Sequence, residues 1–466
     1  MLFVDAQDGR PIYQQLYDQL TSGILAGTLP AGSRLPATRA LAQDLKVSRN
    51  TVSRVYSQLL SEGFVSARTG SGYYVSALVP DMRPLAPFSP SVPATPAPCR
   101  YSFSYGSASN DVFLHSEWRK SINSALARLY SFSRIEYPER PGELVLRREI
   151  ASYLQSSRGV NCTPEQVIIT CGHQQSMEIL ANLFAGSGKR FAIEEPGYDG
   201  VRVVFEDHGY RLLPVPVEAD GISLSALEGQ RADLLYLTPS HQFPLGMVLP
   251  IAKRLALIRW AEQTGCYLVE DDYDSELRYF QSPIPSLQSL DTRGRVIYTG
   301  TFAKCLLPTL RTAYVVFPPE LLDRFYARYG RYNAQVSVLV QYAIADFMAS
   351  GNFQRQIARL RTYYRSQQKA LVDALYAVFG TGIDLYGVGA GLHILVDFHA
   401  DADADDLIAS ARRAGIGLYS PRVNYIHPER CPRSMLLVGF ATIPADSFER
   451  LLAQVRAQWQ QDGLMP

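Results

Sequence analysis

The sequence predicts a multidomain chain: a small N-terminal α+β unit of the winged helix-turn-helix kind, then a large α/β unit with a smaller α+β lobe. Three observations predict this. Helix-period apolar residues, then a short alternating stretch that turns at glycines, fill residues 1–76. Seven prolines crowd the 24 residues of 77–100, a composition that favours extended backbone over a packed core. Across 101–466, strand-like apolar runs alternate with amphipathic segments, the pattern of a mostly parallel sheet covered by helices.

In the first unit, Ile12, Leu16, Leu20 and Ile24 recur every four residues and share one helix face. GTLPAG breaks the chain, and Pro36 suits the first turn of a second helix carrying Ala40, Leu41 and Leu45. After the break KVS, Val52, Val55, Tyr56 and Leu59 mark a third helix. FVSARTGSGYYV then alternates and turns at Gly70 and Gly72, as a two-stranded wing does. Residues 77–100 read as a tether that reaches roughly 75 Å when fully stretched at ~3.1 Å per residue. In the large unit VIIT, FAIEE, LLYLT, YLVEDD, VIYTG and AYVVF read as buried strands. From about residue 335, long helices mix with HILVDF and MLLVGF strands, which predicts the smaller lobe.

The chain has 466 residues, 47% hydrophobic and 19% charged, with a formal net charge of +1. It is no polycation, so any nucleic-acid contact has to come from a local patch. Cys99, Cys162, Cys171, Cys266, Cys305 and Cys431 show no zinc or dithiol spacing and predict reduced thiols in a cytoplasm. MLFVDAQDGRP has no secretory-signal pattern, and no apolar run approaches the ~18 residues of a membrane span, so no membrane partner is expected.

Ser48, Arg49, Asn50, Thr51 and Arg54 fall on the first turns of the third predicted helix, able to face outward while Val52, Val55 and Tyr56 face in. Arginine pairs bidentately with guanine, and short hydroxyl or amide side chains reach phosphates or base edges. Arg39 is placed to brace the DNA backbone. Residues 1–76 carry seven Lys/Arg and five Asp/Glu, so arrangement rather than net charge makes the case. Residues 11–76, above all LPATRALAQDLKVSRNTV, resemble the DNA-binding domain of GntR-type bacterial regulators. The resemblance implies that Arg39, Arg49 and Thr51 contact double-stranded operator DNA and that Gly70 and Gly72 approach the minor groove.

A second set of residues holds the parts of a pyridoxal 5'-phosphate site. Lys304 follows the strand-like run Val296, Ile297, Tyr298 and stands seven residues before Arg311. Asp271, Asp272 and Tyr273 end another such run. The lysine is the candidate for the Schiff base, the acid pairs with the pyridinium nitrogen, and the arginine meets the phosphate. An ionised carboxylate keeps that nitrogen protonated; Asp271 is the candidate, and spacing leaves Asp272 open as the partner. Tyr273 is placed to hydrogen-bond the phenolic oxygen, and Tyr198 to stack on the ring. Gly172, His173 and Gln174 read as a helix start offering backbone N–H groups to phosphate, with Thr301 completing the cup.

Taken together, GHQQ, EEPGYDG, TPSHQFPLG, EDDYDSE and GTFAK…LPTLR resemble fold-type-I aminotransferases over residues 101–466. That resemblance implies a homodimer in which Tyr137 reaches the partner's cofactor phosphate. Both halves on one chain resemble the MocR/GabR subfamily of GntR-type regulators, which implies a transcription factor that uses pyridoxal phosphate to sense a small metabolite, with head-to-tail dimers. Amines, amino acids and vitamin B6 vitamers all stand as effectors, acting through an aldimine on Lys304. An active aminotransferase with an attached DNA-binding domain is the alternative.

The sequence also departs from the aminotransferase pattern. Phe243 replaces an asparagine that supports the phenolic oxygen, which leaves His241 or Gln242 for that role. Ala303 stands where serine is frequent, and Leu436 and Leu437 stand where an arginine for the substrate carboxylate is expected. Arg422 and then Arg202 are the candidates for an effector carboxylate, with Arg433 nearby.

Overall fold

Leu16, Leu20 and Ile24 are buried on one face of the first helix, α1 (Ile12–Leu25), where their spacing predicts them; Ile12, at the helix start, is 41% exposed. The computed structural model describes residues 2–5, 9–77, 99–133, 137–186, 188–279 and 284–465. The chain divides into two units, Met1–Pro96 and Ala97–Pro466. The tether predicted at 77–100 lies almost wholly outside the described residues.

In the first unit α2 (Thr38–Asp44) and α3 (Arg49–Ser61) pack on α1 through Leu41, Val52, Val55, Tyr56 and Leu59. Pro36 precedes α2 rather than starting it: the chain stays extended through Ala37, and the Pro36 carbonyl accepts a hydrogen bond from the Tyr56 hydroxyl. Ala40 is exposed, because a seven-residue helix turns only one side to the core. Strands β1 (Val65–Arg68) and β2 (Gly72–Val75) pair antiparallel as the predicted wing, with Gly70 turning the hairpin at φ 75°.

The second unit opens with β3 (Tyr101–Ser102), α4 (His115–Tyr130) and α5 (Leu144–Arg158). The strands β4 (Val167–Thr170), β5 (Arg190–Glu195), β6 (Arg211–Glu218), β7 (Gly221–Ile222), β8 (Leu234–Leu237), β9 (Tyr267–Asp272), β10 (Val296–Thr301) and β11 (Ala313–Val316) form one sheet, ordered β4-β11-β10-β9-β8-β5-β6-β7. Neighbours from β6 to β10 run parallel, whereas β11 is antiparallel to both β10 and β4. Helices α6 (His173–Leu183), α7 (Asp199–Asp207), α8 (Ile251–Thr264), α9 (Pro319–Tyr329) and α10 (Val338–Ala349) accompany this sheet.

β6 escapes the sequence pattern because it carries Pro214 and Pro216. The fold accepts them because β7 pairs with β6 only at Val217 and Glu218, and beyond that pairing Pro216 needs only to accept, its carbonyl taking the Ser223 N–H at 2.8 Å.

The long helix α11 (Asn352–Phe379) leads into the smaller lobe, with β12 (Asp384–Tyr386), β13 (His393–Asp397), α12 (Ala404–Arg413), β14 (Ile416–Gly417), β15 (Met435–Gly439) and α13 (Phe448–Gln461). β12, β13 and β15 form an antiparallel sheet, and β14 pairs with β3. Leu436 and Val438 pack with Leu451, Val455 and Trp459 in the lobe core. Met435 and Leu437 alternate to the other face and pack near Phe243 and Tyr273.

Candidate functional site

The parallel register of β9 and β10 sets Asp271 opposite Thr299 and Asp272 opposite Gly300, so both strands end on the same edge of the sheet. Beyond that edge lies a cavity of about 260 Å³, the place where open α/β sheets bind ligands. Lys304, Asp271, Tyr273, Tyr198, Thr301 and Arg311 all line it, as do Gly172, His173 and Gln174.

One end of the cavity suits an anion. Gly172 is the N-cap of α6 at φ 87°, and a Cβ there would fall 2.6 Å from an Arg311 Nη atom, so only glycine lets the guanidinium lie against the helix start. Arg311 itself sits at φ 48°, a conformation rare for a side chain of its size, held as the C-cap of a short 3-10 turn. Thr301 lies beside it, its Oγ1 accepting from the Ala303 N–H at 3.2 Å.

The middle suits a protonated ring nitrogen. Burial pushes the Asp271 carboxyl above its ordinary range, while His173 and a hydrogen bond from the Tyr236 hydroxyl pull it back. His173 Nε2 lies 3.5 Å from Asp271 Oδ2. Asp272, the alternative left open by spacing, points to the other side of β9, where Oδ2 lies 2.7 Å from Arg158 Nε and accepts from the Tyr298 hydroxyl. Burial pulls the Arg158 pKa down, but Asp272 and Tyr298 outweigh it and hold the guanidinium above its usual value.

Lys304 lies under Tyr105, with Nζ 4.1 Å from the ring centroid. Burial lowers its pKa to about 8, with Asp274 and Asp271 opposing the shift. A lysine so placed is largely an ammonium at neutral pH but within reach of its nucleophilic, neutral form.

Some sequence candidates lie elsewhere. His241 is buried but does not line the cavity: Nδ1 lies 2.8 Å from Asp274 Oδ2 and 3.0 Å from the Tyr273 hydroxyl, so it braces Tyr273 from behind. Gln242 is likewise engaged with backbone, donating to the Pro196 and Phe243 carbonyls. Arg422 is not at the cavity, because Asp403 holds it at 2.7 Å and Asp405 at 3.0 Å. Arg202 also misses it, donating to the Tyr425 and Val423 carbonyls. Tyr137 is 83% exposed and away from the cavity of its own chain.

Sequence reasoning missed Tyr105, Gly106, Thr238, Pro308 and Thr312, which line the cavity, and Tyr236, which bonds Asp271. Tyr236 lay hidden in an apolar strand pattern, and Tyr105 arrives from a segment far back in the chain.

On the first unit, Arg39, Ser48, Arg49, Asn50, Arg54, Gly70 and Gly72 stand at the surface or partly exposed, and Thr51 is half-buried. Ser48 caps α3, its Oγ accepting from the Thr51 N–H at 3.1 Å. The Arg54 guanidinium rests 4.5 Å from the Tyr13 ring centroid, so it is braced against α1 rather than extended.

Residues 12–75 match the family described as bacterial regulatory proteins, gntR family, and residues 106–454 match aminotransferase class I and II. The probable rhizopine catabolism regulatory protein MocR of Rhizobium meliloti is 35% identical, covering 100% of this chain and 98% of its own. The chain belongs to the MocR/GabR subfamily of GntR-type transcription regulators. The pyridoxine biosynthesis transcriptional regulator PdxR of Corynebacterium glutamicum is 31% identical over 95% of this chain and 94% of its own. Among solved structures, LysN, an α-aminoadipate aminotransferase of Thermus thermophilus crystallised with a phosphopyridoxyl-leucine adduct, superposes with a TM-score of 0.69 at 25% identity, covering 77% of this chain and 92% of that one.

As a member of this subfamily, the chain is a DNA-binding transcription regulator with a fold-type-I aminotransferase-like domain, and its cofactor is pyridoxal phosphate. The residues lining the cavity fit that group: a glycine-started helix with Arg311 and Thr301 would take the phosphate, Asp271 the ring nitrogen, and Lys304 the aldehyde carbon. Among the described residues, no helix is long and apolar enough to cross a membrane. All six cysteines are free thiols.

Proposed function

We propose that this regulator acts in the bacterial cytoplasm as a homodimer whose affinity for an operator is set by a small amine-bearing molecule at the Lys304 cavity. The observation that carries the reading is Lys304 itself: buried, its pKa lowered to about 8, in one cavity with Asp271 and Arg311 on a chain that also bears a winged helix-turn-helix. Pyridoxal phosphate supplies a carbonyl that captures primary amines.

In this reading Lys304 is the attachment point. Asp271 would keep the ring nitrogen protonated, Tyr198 would stack on the ring, Tyr273 would hydrogen-bond its phenolic oxygen, and Arg311 with the α6 N-terminus would orient the phosphate. Tyr137 serves the partner's phosphate, which its exposure supports, as does the neighbouring exposure of Tyr130 and Phe132. Arg39, Arg49 and Thr51 meet the operator from residues 1–76, and 77–100 tether the two bodies. An effector shifts DNA affinity only to the extent that it binds two conformations of the protein unequally, and the coupling is reciprocal.

The experiment compares wild type with Lys304→Ala. Wild type incubated with pyridoxal phosphate gains visible absorbance that survives gel filtration, and candidate effectors shift its affinity for DNA selected from a random pool. Lys304→Ala still binds that DNA but loses both the absorbance and the effector response. An effector response retained in Lys304→Ala overturns the reading. Sustained turnover of an amino donor with a keto acid favours the aminotransferase alternative, which draws on the same intact lysine and aspartate.

A further inference from the structure

The smaller lobe turns one face of its sheet toward the cavity wall; next to that wall the face carries Leu395, Leu437 and Met435, with His393 on one side of them and Asp397 and Asp384 further along the strands. The antiparallel register aligns Tyr386 with Leu395, Leu395 with Leu437, and Leu437 with Tyr419, a row across the sheet without a charged side chain. Leu395, Met435 and Leu437 are buried behind Phe243 and Tyr273, which line the cavity. Tyr105 completes this wall, its ring centroid 5.2 Å from that of Phe243 and 4.8 Å from that of His393.

The cations are spent elsewhere. Among the described residues, lysine and arginine line the cavity only as Lys304 and Arg311, and Arg311 lies against Gly172 at the start of α6. His173 faces Asp271. Arg422 is held by Asp403 and Asp405, Arg202 donates to backbone carbonyls, and Arg433 is exposed. Asp271 and Asp274, both buried, exert their negative field on Lys304. A carboxylate brought to this wall loses its water, meets among the described cavity residues no lysine or arginine besides Lys304 and Arg311, and adds to the field of Asp271 and Asp274, so burying it there costs more than burying an apolar group.

We propose that the effector of this site is a primary amine with an apolar or aromatic body and no carboxylate. The inference rests on the proposed function above, because it takes the cofactor-loaded cavity as the sensing site.

The test is calorimetric titration and thermal melting of the cofactor-loaded full chain with matched pairs: phenethylamine against phenylalanine, and isoamylamine against leucine. Each amine binds and raises the melting temperature, and each binds at least about tenfold tighter than its amino acid. Leu437→Arg reverses that order; if this variant fails to fold, the wild-type ratio decides. Amino acids binding as tightly as their amines overturn the proposal. A loaded protein that binds neither amine overturns it too, while leaving the proposed role of Lys304 standing. A protein that cannot be loaded overturns both.

Discussion

Asp271 and Asp272 are adjacent in the chain yet serve opposite sides of one strand: Asp271 lines the cavity, and Asp272 Oδ2 lies 2.7 Å from Arg158 Nε in the interior. Strand alternation alone separates the two roles. Asp272→Asn leaves the Arg158 guanidinium buried without its counter-charge and costs roughly 3–5 kcal/mol of stability. Asp271→Asn leaves the apo protein near wild-type stability but weakens cofactor retention. Urea unfolding of both apo variants, with cofactor retention on gel filtration, separates these outcomes.

Gly172 is required by contact and by conformation at once. Its φ of 87° disfavours any side chain, and a Cβ would lie 2.6 Å from an Arg311 Nη atom. Gly172→Ala displaces Arg311 from the helix start and weakens pyridoxal phosphate binding by about tenfold or more, the loss of one charge-assisted contact. Equilibrium dialysis against the cofactor measures it, with pyridoxal lacking the phosphate as the control that loses little.

The Lys304 amine has to be neutral to react with an aldehyde. With its pKa lowered to about 8 by burial, the neutral fraction rises about tenfold per pH unit up to that point and then levels. The rate of cofactor loading onto apo protein follows the same curve, climbing from about pH 6 to the lowered pKa and flattening above it. Stopped-flow absorbance across that range reads it; a rate that keeps climbing tenfold per unit well above the lowered pKa indicates an ordinary, solvated lysine.

Ser48 and Arg49 adjoin in the chain and differ in role. Ser48 caps α3 through the Thr51 N–H, so Ser48→Ala costs about 1 kcal/mol of stability in the head. Arg49 is exposed and unnecessary to the fold, so Arg49→Ala leaves melting unchanged and weakens DNA binding. If Arg49 meets a base edge, the loss is about 1–3 kcal/mol and relaxes sequence preference; if it meets phosphate, the salt dependence falls by about one charge. Fluorescence anisotropy at several salt concentrations reads both.

Much of this site was legible in the sequence because its central residues sit where local patterns end. Lys304 and Asp271 follow β-branched runs that became β10 and β9, and Gly172 marks a strand-to-helix turn. What stayed hidden depends on contacts distant in sequence. Tyr236 reads as one more apolar strand residue until its hydroxyl meets Asp271. His241 reads as a cofactor contact until Asp274 draws its ring away. Arg422 is a free cation in the sequence and a doubly paired one in the fold, because α12 begins with Asp403 and Asp405 beside it. The strand β6 was concealed by its own prolines.

The central claim is that one buried amine carries the cofactor. Borohydride reduction of the cofactor-loaded protein, followed by peptide mass spectrometry, tests it directly. The account predicts a single pyridoxyl adduct on the peptide containing Lys304; an unmodified Lys304 peptide, or an adduct on another lysine, contradicts it.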